Sequence, residues 1–206
     1  MKKVFVKICG LCIPEDVEAV AVLKPDVMCF VFLHMSRLAV KAEDVADWTR
    51  DLPATIQKVG IFVDSQLAEI AKAIKIAKLD VVQLHGHEPP EICELMPVKV
   101  WKAFSVERKL PDPPEAYHVD AFVLDSYSAE TPGGTGIVGD WDRSREFVKT
   151  SDTPVVLAGG LNAENVREGI RKVKPWGVDV SSGVELRPGK KDLEKVREFI
   201  KQCRKR

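Results

Sequence analysis

Short apolar and β-branched runs recur along the whole chain: VFVKI at 4–8, DVMCFVF at 26–32, IQKVGIFV at 56–63, DVVQL at 80–84, VKVWKAF at 98–104, DAFVLD at 120–125, PVVLA at 154–158 and WGVDV at 176–180. Runs of this length and composition predict eight strands. Between most of them the apolar residues change to a helical spacing. Leu67, Ile70, Ala71 and Ile74 follow Ser65 at i, i+3, i+4, i+7; Val166, Ile170 and Val173 follow Asn162, read as a helix cap; Leu193, Val196 and Ile200 repeat the pattern near the end. Strands that alternate with helices predict a parallel sheet with crossover helices. Eight such units in 206 residues favour a closed barrel over an open sheet, because closure removes two edges that nothing else in the chain would cover. The expected fold is α/β, a single (β/α)₈ TIM barrel occupying residues 1–206 as one catalytic domain. One unit is irregular: SVERKLPDPPEAYHV at 105–119 carries Pro111, Pro113 and Pro114, so the fifth crossover is expected to be short or distorted rather than a full helix.

Composition narrows the partners. Lys and Arg number 31 and so do Asp and Glu, which leaves none of the positive excess that binding to nucleic-acid phosphates requires. No nucleic-acid partner is expected. No run of apolar residues is long enough to span a membrane, and MKKVFVKICG is too short and too charged for an export signal. The expected location is cytoplasmic, with no membrane partner. Five scattered cysteines, an odd number, read as reduced thiols rather than as a disulfide framework.

In a (β/α)₈ barrel the reaction face is built from the C-terminal ends of the strands and the loops that follow. The polar residues at those places are Cys9, Ser36, Arg37, His85, Asp125, Gly159, Gly160, Asp179, Ser181 and Ser182. AGGLNAENV and DVSSGVELRPGKKD, the loops after the seventh and eighth strands, combine glycines (Gly159, Gly160, Gly183), hydroxyls and free backbone N–H groups, and predict a phosphate site. GGTG at 133–136 lies in a long loop after Asp125 and is read as a lid. Cys9 and Cys12 form a C-x-x-C, a spacing shared by thioredoxin-like redox pairs and by zinc sites. The chain is far larger than a thioredoxin, and zinc would need two more ligands, for which only His85 and His87 offer themselves without a second cysteine pair. No metal is expected. Cys12 reads as a small packed residue near the first helix, whereas Cys9 ends a strand on the reaction face. With Asp125 at the end of the sixth strand, a thiol and a carboxyl could flank one substrate as base and acid.

KICG at 7–10, VGIFV at 59–63, VQLHG at 82–86, GGTG, LAGGLNAENV at 157–166 and DVSSGVELRPGKKD at 179–192 occur in the order in which they stand in phosphoribosylanthranilate isomerases, and nearly the whole chain resembles that family of tryptophan biosynthesis. The resemblance implies a cofactor-free Amadori rearrangement of N-(5-phosphoribosyl)anthranilate, a small phosphorylated substrate, by a monomer or homodimer. It implies Cys9 as the general base that takes the C2 proton and Asp125 as the general acid that protonates the ring oxygen. Arg37 matches the arginine that meets the anthranilate carboxylate; His85, Gly134, Gly136, Gly159, Gly160, Asp179, Ser181, Ser182 and Gly183 fall at substrate-binding positions. The chain departs from the family in two places. It reads S-R-L-A-V at 36–40 where the family reads S-P-R-Y-V, which sets Arg37 one position early, and Gly139 stands where an aromatic residue precedes D-W. Three alternatives stay open: the related histidine-biosynthesis isomerase, which would show two similar halves and an aspartate in place of Cys9; a phosphate-binding barrel without activity; and a redox protein built on Cys9 and Cys12.

Overall fold

Eight parallel strands pair in chain order and the eighth returns to the first, closing a barrel: β1 (Phe5–Ile8), β2 (Val27–Val31), β3 (Gln57–Phe62), β4 (Val81–Leu84), β5 (Lys99–Ser105), β6 (Ala121–Asp125), β7 (Val155–Ala158) and β8 (Gly177–Val180). Each lies inside one of the runs read from the sequence, except that β5 extends one residue beyond its run, to Ser105. The computed structural model describes residues 3–106, 110, 116–125 and 140–205. Seven helices are found among the described residues: α1 (Pro14–Val22), α2 (Ala42–Trp48), α3 (Leu67–Ala77), α4 (Pro90–Glu94), α5 (Trp141–Thr150), α6 (Val166–Val173) and α7 (Leu193–Arg204). None of them joins β5 to β6, and most of the proline-rich crossover expected there lies outside the described residues. So do Gly134, Gly136 and Gly139.

Alternation along each strand divides the interior into two bodies. Val6, Ile8, Met28, Phe30, Val82, Leu84, Val178 and Val180 face outward and pack with the helices. Cys9, Cys29, Val31, Val59, Ile61, Val123 and Val156 face inward and fill the barrel. Proline opens α1 and α4 at a position where its missing N–H costs nothing. Asp140 and Asp192 cap α5 and α7 by accepting backbone N–H groups of the first turn.

The helical stripes differ in detail from the expected ones. On α3 the buried residues are Ile70, Ala73 and Ala77, while Leu67 and Ala71 face solvent; a core-facing stripe one position round the helix satisfies the barrel contact equally well. On α6 the helix begins at Val166, not next to Asn162. Asn162 instead accepts hydrogen bonds from the N–H groups of Glu164 and Asn165 and shapes the turn before the helix. After β8, the segment read as loop contains an antiparallel pair, β9 (Glu185–Arg187) and β10 (Lys190–Lys191). The buried carboxylate of Asp16 on α1 holds it by pairing with Lys190 and accepting the N–H of Lys191 at 2.8 Å.

The N-terminal end of the barrel is closed by side chains. Phe5 stacks on Trp176 with centroids 4.3 Å apart, and Trp101 meets both edge-on. Around that plug one device appears three times. Asp26, Asp80 and Asp120, each standing just before a strand, donate their own N–H to the carbonyls of Val6, Lys58 and Val100 on the preceding strand and accept the N–H of those same residues on their carboxylates. Each aspartate thus satisfies two backbone groups at a strand start that would otherwise lack a partner.

Candidate active site

At the other end of the barrel the strand ends carry polar groups. Cys9 follows β1, its N–H bonded to the carbonyl of Val180 at 2.8 Å, and it is 8% exposed. Lys7, the preceding inward residue of the same strand, is fully buried and pairs with Asp179 Oδ2 across the β1–β8 seam at 2.5 Å. Burial alone would lower the lysine; Asp179 more than reverses this and holds it above the usual lysine range, so Lys7 carries its charge at any physiological pH. Burial pushes the Asp179 carboxyl up, with Lys7 pulling against it. Oδ1 of Asp179 is buried and has no hydrogen-bond partner among the described residues.

The thiol opposite Cys9 is not Cys12. Cys29, the middle residue of β2, faces inward and places its Sγ 3.6 Å from that of Cys9. That hydrogen bond holds Cys9 below the ordinary thiol value; burial pushes the other way and Lys7 adds to the lowering. Cys29 itself is held well above the ordinary value, by burial first and then by Cys9. Proton and charge are therefore divided unequally: thiol on Cys29, thiolate favoured on Cys9. Cys12 points away and bonds the carbonyl of Gly189 at 3.2 Å. Strand parity puts Val27, Cys29 and Val31 on one face of β2, and the observed register brings that face beside Lys7 and Cys9 on the neighbouring strand.

Asp125 ends β6 with its side chain partly exposed, and His85, just after β4, brings Nε2 to 3.9 Å from Asp125 Oδ2. Burial lowers the imidazole below its ordinary value, with Asp125 opposing, so His85 is neutral at pH 7 and the contact is not an ion pair. The other histidine of the HGH stretch turns to a different partner: His87 bonds Asp64 through both its backbone N–H and its ring. Both loops rest on Glu88. Its buried carboxylate accepts the N–H groups of Asp64 and Gly86 at 2.8 and 2.9 Å and pairs with the buried Lys102 at 3.0 Å.

The loops after β7 and β8 meet in a cavity of about 310 Å³ lined by Gly160, Leu161, Asn162, Ser182, Gly183 and Lys195, among others. Gly159 and Gly160 both adopt left-handed backbone, with φ of 84° and 64°, a conformation that turns successive backbone groups toward one side. At Gly183 a Cβ would lie 1.9 Å from the carbonyl oxygen of Leu161, so only glycine lets the two loops approach this closely. Ser182 starts a single 3₁₀ turn (Ser182–Val184) beside the cavity, and Ser181, half-buried, passes its carbonyl to Lys191 Nζ at 3.2 Å. Arg37 stands apart. It is exposed in the turn beyond β2, which Ser36 stabilises by accepting the N–H of Leu38. Of the predicted site residues, the fold thus gathers Cys9, His85, Asp125 and Asp179 on inward positions and Gly159, Gly160, Ser182 and Gly183 at the adjoining loops.

A barrel with this distribution has close relatives. Residues 6–202 match the family described as N-(5'phosphoribosyl)anthranilate (PRA) isomerase. The chain belongs to that family. The N-(5'-phosphoribosyl)anthranilate isomerase of Pelobacter propionicus is 44% identical over 197 residues, covering 95% of this chain and 93% of the relative. Among solved structures, the phosphoribosyl anthranilate isomerase of Thermotoga maritima superposes with a TM-score of 0.86 at 36% identity, over 97% of this chain and 98% of that one. A phosphoribosyl anthranilate isomerase solved in complex with reduced 1-(o-carboxyphenylamino)-1-deoxyribulose 5-phosphate gives a TM-score of 0.83 at 34% identity, with 97% and 98% coverage. Membership at this coverage sets aside the histidine-biosynthesis isomerase and the redox protein, and the separation of Cys9 from Cys12 agrees with it.

Proposed function

We propose that this chain converts N-(5-phosphoribosyl)anthranilate into 1-(2-carboxyphenylamino)-1-deoxyribulose 5-phosphate, the Amadori step of tryptophan biosynthesis, with Cys9 as general base and Asp125 as general acid. The phosphate takes the glycine and serine loops after β7 and β8, and the sugar lies across the mouth of the barrel between β1 and β6. Asp125 gives a proton to the furanose ring oxygen; the C1–O bond breaks and the anthranilate nitrogen lone pair forms the Schiff base. The Cys9 thiolate then removes the C2 proton, the electron pair moves to give the enolamine, and tautomerisation leaves the C2 ketone. Isomerisation has no net redox change, so every proton and electron taken is returned. The neutral His85 beside Asp125 orients that carboxyl and contacts substrate hydroxyls, as does Asp179. Arg37, exposed in the turn beyond β2, reaches for the anthranilate carboxylate, which its planar guanidinium fits.

The observation that carries this reading is the state of Cys9: a thiol at a strand end whose neighbours favour the thiolate, which is what proton abstraction at neutral pH requires. The same chemistry calls for reduced cysteines and therefore a reducing compartment, consistent with a cytoplasmic enzyme; all five cysteines are free. No described helix is long and apolar enough to cross a membrane. The test is direct: purified protein mixed with phosphoribosylanthranilate should quench its fluorescence with saturation kinetics. Fluorescence that persists at high enzyme concentration overturns the reading and leaves a phosphate-binding barrel without turnover.

A further inference from the structure

The pairing of Cys9 with Cys29 goes beyond the base and acid just assigned, and its interpretation rests on Cys9 being the base. We propose that Cys29 is a positioning residue for the reaction, its thiol donating from the neighbouring strand to Cys9 Sγ and so keeping Cys9 ready to accept the substrate proton.

Geometry argues for it first. β1 and β2 pair in parallel with Lys7 opposite Val27, so two residues further along each strand Cys9 and Cys29 face inward side by side. Their sulfurs lie 3.6 Å apart, hydrogen-bonding separation for this element. Backbone ties hold them in place: the carbonyl of Cys29 accepts the N–H groups of both Gly10 and Leu11 at 3.1 Å, which fixes the turn immediately after Cys9 and does not depend on the side chain at 29. Cys29 is wholly buried while Cys9 keeps 8% of its surface exposed, so the two thiols are not equivalent. The better solvated one takes the charge and the enclosed one keeps the proton.

The charged groups facing Cys9 do not replace this donor. Lys7, on its own strand, already engages Asp179 of β8 at 2.5 Å, and that carboxylate opposes the thiolate that Lys7 favours, so Lys7 helps Cys9 less than the bond from Cys29 does. Lys191 of β10 is committed to Glu185 at 2.9 Å and to the Ser181 carbonyl. His85 and Asp125 act on Asp179. Among the described residues Cys29 is the side chain that bonds Cys9 directly. A donor to an ionised acceptor is also the stronger kind of hydrogen bond.

Alkylation of Cys9 by iodoacetamide reports its ionisation without substrate. The measurement is made in a Cys12→Ser background, because Cys12 is partly exposed and lies on the same peptide, with the adduct identified by peptide mass. Cys29→Ala should move the alkylation midpoint to higher pH and slow the reaction roughly tenfold below that midpoint, the worth of one hydrogen bond to a charged group. The acid limb of kcat/KM should move the same way. Cys29→Ser, which retains a donor, should stay close to the parent in both. An unmoved midpoint in Cys29→Ala, or a midpoint in Cys29→Ser displaced as far as in Cys29→Ala, overturns the proposal and leaves Cys29 a packing residue. Should the alanine variant fail to fold, Cys29→Val, which fills the space without a donor, is compared with Cys29→Ser by the same two outcomes. If Cys9→Ser retains full turnover, the assignment of the base fails while the alkylation result stands on its own; if Cys9→Ser abolishes turnover and the midpoint stays fixed, only the role of Cys29 fails.

Discussion

The two ends of this barrel use the same residue types to opposite purposes. At the N-terminal end, Asp26, Asp80 and Asp120 each satisfy backbone groups of the strand before them, and Phe5, Trp101 and Trp176 plug the bore. At the C-terminal end, Asp179 has one oxygen without a partner among the described residues, Asp125 is partly open to solvent, and a thiol rather than an aromatic ring fills the place above the core. An aspartate whose bonds are completed by its own fold stabilises that fold; one held with capacity to spare is available to a substrate. The contrast between the ends is therefore in how far each polar group is satisfied, not in which groups are present.

The contrast can be broken most sharply at Cys9. Cys9→Ser should lower kcat by roughly 10²-fold or more, since a serine hydroxyl is a far poorer proton acceptor than a thiolate, and leave the melting temperature nearly unchanged. In the wild type, kcat/KM should fall as pH drops through the lowered Cys9 value, because the protonated thiol cannot accept a proton; in the serine variant that limb should disappear from the fluorescence assay. The reverse pattern is expected at the opposite end. Asp26→Ala, which orphans the Val6 N–H and frees Lys3 and Arg204, should cost about 1–2 kcal/mol of stability and lower the melting temperature by a few degrees, with kcat unaltered. Calorimetry and the rate assay on one preparation check both halves. A smaller effect tests the reach of the reaction face: Arg37→Ala should raise KM roughly fivefold with little change in kcat, the signature of binding that is equal in ground and transition states. An unchanged KM would show that its position in the turn keeps it from the substrate. Smallest of all, Cys12→Ser should change turnover by less than about threefold, as expected for a residue outside the site; a loss equal to that of Cys9→Ser would mean that the two cysteines work as a pair after all.

The barrel was legible because its strands are buried on both faces and so read as continuous apolar runs, from VFVKI to WGVDV. Much of the candidate site was legible too, because polar residues that interrupt the ends of such runs have few structural reasons to be there: Cys9, His85, Asp125 and Asp179 all face inward. What escaped was relational. Cys29 sits inside an apolar run as an ordinary small residue, and nothing in the run says which sulfur it will meet until the register of β1 and β2 is known. The C-x-x-C spacing drew attention to Cys12 instead, though a turn after the strand sends its side chain to Gly189. The β9–β10 pair escaped because strands this short carry no periodic signal; its position depends on Asp16, far away in sequence. On α3, Leu67 looked like core and Ala73 and Ala77 did not stand out, since small residues suit a helix lying close against a sheet.

Glu88 carries a further lesson. Its carboxylate is buried, yet it ties the turn after β3, the turn after β4 and the ammonium of Lys102 into one knot. His85 inherits its address from that knot, three residues away. The chain's tolerance to change should then be lowest at two kinds of place: where atoms react, and at such silent anchors. A drift at Glu88 would be felt as a loss of aim in a histidine that had not itself been altered.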